Sequence, residues 1–178
     1  VKGDYIFKPK NDELSFNIKV DKLSITPLER YLKGFASKIV GLATGELNLT
    51  GLAKAPNLTG KARLQRASIL IDYLNTRYSV LPEQDIVFDE KYIAFNNIGI
   101  SDDQNHKGSV DGKIFHNHFS DFTFSLRVNA NKLQCLNTNA FQNELFYGKA
   151  FATGYAKIIG TLNLLKLDVV ARSESGTQ

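Results

Sequence analysis

Apolar and polar residues alternate along most of this chain with a period of two. Leu14, Phe16, Ile18 and Val20 are interleaved with Ser15, Asn17 and Lys19. Leu47 and Leu49 are interleaved with Glu46, Asn48 and Thr50. Phe122, Phe124, Leu126 and Val128 are interleaved with Thr123, Ser125, Arg127 and Asn129. Shorter pairs follow the same rule: Ile86 with Phe88, Ile93 with Phe95, Ile98 with Ile100, Leu162 with Leu164, and Leu167 with Val169. Successive side chains of a strand point to opposite faces, so the pattern predicts strands with one apolar and one wet face. The fold class it favours is mainly β, with a sheet of antiparallel type.

Turn chemistry falls between these segments. Ser101 to Gly108 reads as a hairpin loop, and Asn117-His118 as a polar turn. Asn96-Asn97 reads as a short turn, and Asn11 with Asp12 as another before the strand that starts near Leu14. Pro9, Pro27, Pro56 and Pro82 all sit outside the strand cores, where a missing backbone donor harms no ladder. Gly45, Gly51, Gly60, Gly112, Gly148, Gly154 and Gly160 lie within or beside the predicted strands. Glycines there mark bulges, bends or close backbone approach, and so many predict a strongly curved sheet that rolls into a trough or barrel.

One segment departs from the period of two. Thr26 suits a helix cap, Pro27 its first turn, and Glu29 the capping-box position. Leu28, Leu32, Phe35 and Ile39 then recur at helical spacing, so one short amphipathic helix is expected over residues 27–39, with Gly41 as its stop. Its apolar stripe either caps one end of the sheet or plugs a groove. Two short echoes also occur: Leu74-Asn75-Thr76 with Leu136-Asn137-Thr138, and Gly45-Glu46-Leu47-Asn48-Leu49 with Gly160-Thr161-Leu162-Asn163-Leu164. They hint at a repeated hairpin unit.

Composition narrows the class. With 178 residues and 43% hydrophobic content, the chain is expected to form one β-rich domain over residues 1–178. It opens on Val1 and closes on a polar stretch from Ser173, which reads as a fragment of a larger protein. Its longest apolar runs fall well short of the roughly 18 residues that span a bilayer as a helix. The net charge of +4 comes from scattered residues. Lys8 with Lys10 and Arg63 with Arg66 are close, but neither pair builds the basic stripe that nucleic acid needs. Cys135 stands alone between Leu133 and Leu136, as a quiet thiol with no internal partner.

Candidate chemistry is sparse. His116 and His118 form an H-x-H pair that Asp111 and Asp121 would have to complete for zinc, and no third ligand is placed by the spacing. Asp102, Asp103 and Asn105 before Gly108 faintly resemble a calcium loop but lack the acidic ligands that close one, so they read as a turn. No nucleophile motif, Cys–His arrangement or phosphate-cradling loop is present. These residues predict no enzyme, no cofactor and no metal. They predict a binding or conduit module.

Several phrases resemble a known family. Gly41-x-x-x-Gly45-x-Leu47-x-Leu49-x-Gly51 followed by Pro56-x-Leu58-x-Gly60-x-x-x-Leu64 is similar to a phrase of TamB-like proteins, which are related to the AsmA-like group. Ile71-Asp72-Tyr73-Leu74-Asn75-Thr76-x-Tyr78, Ser101-Asp102, Val110-x-Gly112-x-Ile114-x-His116 and Phe119-x-Asp121-Phe122 resemble its Bacteroidetes branch. So do Leu136-Asn137-Thr138, Phe146-Tyr147-Gly148 and Gly154-x-x-x-Ile158-x-Gly160. The resemblance covers about Asp21 to Gly160.

It implies a β-taco, a long sheet bent into a half-pipe with an apolar interior. It further implies a place in the periplasm of a Gram-negative envelope, in a parent anchored in the inner membrane. The function implied is carriage of phospholipid acyl chains between the membranes in support of outer-membrane assembly. A barrel partner of the BamA or TamA type would be met through the parent chain. The alternating rows supply the expected lining: Phe16, Ile18, Leu47, Leu49, Ile71, Phe88, Phe95, Phe122, Phe124, Leu126, Leu162 and Leu164. Two other readings stay open. The same residues can form an ordinary closed core, and exposed sheet edges can accept strands from β-barrel clients in a chaperone-like role.

Overall fold

The computed structural model describes residues 13–142, 147–161 and 163–178. The turn expected at Asn11–Asp12, Phe146 and the lining residue Leu162 lie outside them. The strands are β1 (Glu13–Ser24), β2 (Ala36–Leu52), β3 (Ala55–Ile71), β4 (Thr76–Val80), β5 (Gln84–Phe88), β6 (Tyr92–Ser101), β7 (Lys107–Asn117), β8 (Ser120–Thr138), β9 (Gly148–Thr161) and β10 (Leu164–Ser173). They form one 10-stranded sheet in nearly sequential order, with β4 and β5 lying one beyond the other between β3 and β6. Neighbouring strands are antiparallel, as hairpin connections require.

Strand register turns the alternation into rows that cross the whole sheet. One row runs Val20, Gly45, Ala62, Ile86, Phe95, Gly112, Leu126, Ile158, Leu167. The next runs Ile18, Leu47, Gly60, Phe88, Ile93, Ile114, Phe124, Gly160, Leu165. Every member is apolar or glycine. On the other side of the first row, Ile98, Val110, Val128, Ala156 and Val169 continue the pattern across the last five strands. Residues directly opposite in a ladder share a face, so these rows make one apolar face.

The intervening rows carry the charged residues and, interspersed with them, Val87, Ala94 and Ile159. Lys19 pairs across to Glu46 and then Lys61, and Asp111 to Arg127, Lys157 and Asp168. On that face Arg63 grips Asp85 at 2.7 Å and Glu83 at 2.6 Å, so Arg63 and Arg66 form no basic patch. Lys113 and Arg127 lie over the rings of Tyr92 and Tyr155, each at 3.7 Å.

Glycines make the apolar face concave. Within the two complete rows Phe88 faces Gly60, Phe95 faces Gly112 and Phe124 faces Gly160. An aromatic ring opposite a glycine has room to lie along the sheet, where two large side chains would force it flat or apart. The fit is close: a Cβ on Gly112 would sit 2.2 Å from the Ser125 carbonyl oxygen, and one on Gly60 would sit 2.3 Å from that of Glu46.

Contacts between distant strands show the bend. Phe35, just before β2, brings its ring within 6.1 Å of Phe124 in β8. His118, after β7, reaches the carbonyl of Pro56 in β3 at 3.3 Å. Tyr78 in β4 donates its hydroxyl to the Gln134 carbonyl in β8 at 2.7 Å.

The expected helix is corrected. Only Thr26–Tyr31 is helical, as a 3-10 turn, and Ile25 rather than Thr26 precedes it without a side-chain cap. The residues from Ala36 to Ile39 open β2 instead, paired with the end of β3 from Ala36 opposite Ile71. The ladder to a 17-residue neighbour satisfies more backbone groups than one further helical turn. Glu29 accordingly accepts the backbone N–H of Ile39 at 3.2 Å, not that of its own cap. Asn96-Asn97 is likewise a bulge inside β6, with Asn97 at φ 52 and its N–H on the Asp111 carboxylate, and not a turn.

Candidate functional site

The concave face gathers the apolar rows of the sheet. Phe16, Ile18, Leu47, Leu49, Phe88, Phe95, Phe124 and Leu126 all take positions on it, in the rows above or in the row Phe16, Leu49, Leu58 beside them. Phe122 precedes Phe124 by two residues on β8 and meets His116 edge-on at 6.2 Å. Ile71 lies opposite Ala36 and Thr76 at the far end of β3.

Leu164 is on the other face. It pairs with Thr161, which pairs with Thr123 on the outer face, and it is 79% exposed. The chain reverses between Thr161 and Leu164, so Leu165 and Leu167 take the concave positions. A one-residue slip moves every side chain of a strand to the opposite face.

Burial along the face is graded. Phe124, Ile86, Ala62 and Val20 are buried on the floor. Phe16, Ile18, Leu47, Leu49, Phe88, Phe95 and Leu126 are only half-buried. Toward β10 the rows run into solvent, with Leu167 at 57% and Val169 at 59% exposure.

The end of the face near β4 and β8 is fastened by polar groups. There the hairpin loop from Asp102 to His106 meets β8 at Gln134, which also accepts the Tyr78 hydroxyl of β4. Asp102 makes the connection. Its carboxylate accepts the N–H of Gln134 at 2.8 Å, of Gln104 at 2.9 Å and of His106 at 2.9 Å, and it bonds the His106 imidazole at 3.0 Å. Burial pushes this carboxyl up, but the Gln134 and His106 hydrogen bonds outweigh it and hold the group below the usual carboxylate range.

Just beyond, the two Leu-Asn-Thr echoes meet. The Asn137 N–H donates to the Leu74 carbonyl at 2.9 Å, and the Asn75 amide donates to the Asn137 carbonyl at 2.6 Å. The triplets are therefore two halves of one junction. Tyr78 beside them is held well above the ordinary tyrosine range, chiefly by burial. Cys135 is half-buried and its thiol is pushed up by burial, as befits an unreactive group.

His116 and His118 diverge. His116 is the last inward residue of β7 and is buried, whereas His118 has left the strand with φ 48 and is exposed. Asp111 is engaged with Asn97, and Asp121 accepts the Ser120 hydroxyl. Among the described residues no group of three His, Cys, Asp or Glu side chains is placed to hold a metal ion. No helix among them is long and apolar enough to cross a membrane.

The family model described as TamB C-terminal domain matches residues 96–178, from the middle of β6 to the end of the chain. The phrases from Ser101 onward lie inside that match, and those from Gly41 to Tyr78 lie before it. No curated protein and no solved structure matches the chain. The family has an envelope role in translocation and assembly and works with outer-membrane proteins. Over residues 96–178 the chain is thus similar to the TamB C-terminal domain family.

Proposed function

We propose that this chain is a lipid-conducting segment of a TamB-like envelope protein. The concave face is then a half-pipe, or β-taco, that carries phospholipid acyl chains between the inner and outer membranes. The observation that carries this reading is the pair of unbroken apolar rows from β1 to β10, half-buried and open toward β10. At ~4.8 Å between strands such a row extends roughly 40 Å. Each CH₂ removed from water gains about 0.8 kcal/mol, and a continuous row lets a chain slide without being rehydrated. No catalytic group or cofactor is required. The chain works in the periplasm, in a parent anchored in the inner membrane, and a BamA- or TamA-type barrel is met through that parent.

Leu49→Arg and Leu126→Arg place a charge on half-buried positions of the face. Both are expected to reduce co-purified phospholipid at least several-fold by mass spectrometry while circular dichroism stays that of the parent. Unchanged lipid in folded variants removes the conduit. The second reading, acceptance of client strands, draws on β10, an edge strand exposed along nearly all its length. It predicts crosslinks from β10 to client strands that survive both arginine substitutions.

A further inference from the structure

Residues 25–41 form an arch between β1 and β2. Its base is closed by the Ile25 N–H on the Gly41 carbonyl at 3.1 Å and by the Ile39 N–H on the Glu29 carboxylate. Ala36 and Ile39 are buried there, whereas no residue of the 3-10 turn is. Leu28 and Tyr31 stand three residues apart in that turn, a spacing that puts both on one side of a 3-10 helix, and both are exposed. Leu23 and Val40 are exposed at the base. So is Tyr73, whose turn joins the arch through the Asp72 N–H on the Phe35 carbonyl at 3.1 Å. Exposed apolar side chains gathered in this way mark a surface that another body covers.

Cations flank them. Lys22, Arg30, Lys33 and Lys38 are all exposed, and none has an ion pair among the described residues. Arg30 lies over the Tyr31 ring at 4.7 Å and donates to its hydroxyl at 2.6 Å. Of the neighbouring carboxylates, Glu29 is turned onto the Ile39 N–H, Asp72 accepts the Ser37 hydroxyl, and Asp21 precedes Lys22 on β1. With four cations against the one carboxylate of Glu29, residues 22–40 hold +3 of the chain's net charge of +4.

We propose that this arch docks on the surface of an anionic lipid bilayer, with Leu28 and Tyr31 in the interface and Lys22, Arg30, Lys33 and Lys38 among the phosphates. Interfacial anchors combine these residue types: an apolar side enters the headgroup region, and cations stay with the lipid charge. A bilayer fits better than a protein surface. Long cationic side chains spread around an apolar tip need anions on every side and at no fixed position. The dock goes beyond the conduit reading and stands without it. The two connect through Phe35, which lies in the same arch and packs against Phe124 on the floor of the trough.

The test is co-sedimentation of the purified chain with two kinds of vesicle, phosphatidylcholine alone and phosphatidylcholine mixed equally with phosphatidylglycerol. Binding to the mixed vesicles is expected to be about tenfold tighter or more, and to weaken as salt rises. Lys33→Gln with Lys38→Gln should weaken it roughly fivefold for each charge removed. Lys157→Gln with Lys166→Gln removes the same charge from the outer face of β9 and β10 and should leave it nearly unchanged.

The chain has no tryptophan, so Tyr31→Trp reports on the tip of the arch alone. Its emission should shift to the blue on the mixed vesicles, and that of Asn48→Trp, on the outer face of β2, should not. Equal affinity for the two kinds of vesicle, an equal loss in the two lysine pairs, or an unmoved Tyr31→Trp emission overturns the dock. A chain that ignores vesicles but retains co-purified phospholipid overturns the dock and leaves the trough. One that binds vesicles through Tyr31 but carries no phospholipid does the reverse.

Discussion

Replacing Asp102 by Ala is expected to lower the stability of the fold by about 3 kcal/mol, because several charge-assisted hydrogen bonds are lost and buried donors are left unpaired. The side chain is wholly buried, and it joins the hairpin loop to β8 through Gln134. Chemical denaturation of Asp102→Ala beside the wild type measures the loss, and Asp102→Asn should recover only a fraction. The pH dependence has a fixed sign. The folded-state pKa is depressed, so the contribution is fully present above the ordinary aspartate range and is lost as pH falls through the folded value. The gap between wild type and variant should therefore narrow on acidification. A gap that widens in acid contradicts the assignment.

Gly112→Ala should cost a similar amount for a different reason. Gly112 has φ +125, and an added Cβ would meet the Ser125 carbonyl oxygen at 2.2 Å and the Leu126 Cα at 3.0 Å. Neither is the end of a flexible side chain, so β7 and β8 must separate. A loss of about 2–4 kcal/mol is expected from strain and overpacking together. Gly34→Ala supplies the internal comparison. Gly34 has φ +84 but nothing within 4 Å of the added methyl, so only the backbone cost of about 1–2 kcal/mol applies. Equal losses at the two sites would show that the close approach at Gly112 adds nothing to the cost of its backbone conformation. The two measurements separate conformational strain from packing.

Much of the strand pattern was legible because the fold is a single repeated operation. Each strand carries its own alternation, and antiparallel neighbours in sequence order align those alternations without long-range instruction. Phe16, Leu47, Phe95 and Leu126 could be placed on one face for that reason. Leu164 could not. Gly45-Glu46-Leu47-Asn48-Leu49 and Gly160-Thr161-Leu162-Asn163-Leu164 read alike, but the first stays in one strand and the second spans the reversal into β10. The helical spacing from Leu28 to Ile39 misled for a related reason: the ladder offered by β3 is a tertiary fact, and it overrides a local period.

Polar details were less visible still. Asp102 reads as an ordinary turn residue, because its partner Gln134 lies 32 positions away and nothing local announces the contact. His116 drew attention as half of a metal pair. Its actual distinction, an inward place at the end of an apolar strand, was present in Val110-x-Gly112-x-Ile114-x-His116, where the period of two carries histidine onto the apolar face.

The measurement that bears most directly on the central claim is photo-crosslinking in the envelope from successive positions of β8. A photoreactive residue placed in turn at Thr123, Phe124, Ser125, Leu126, Arg127 and Val128 samples the polar and concave faces alternately. The account predicts phospholipid adducts from Leu126 and its inward neighbours Phe124 and Val128, and none from Thr123, Ser125 or Arg127. Adducts distributed equally over both faces, or absent from the inward positions of a folded protein, would contradict it.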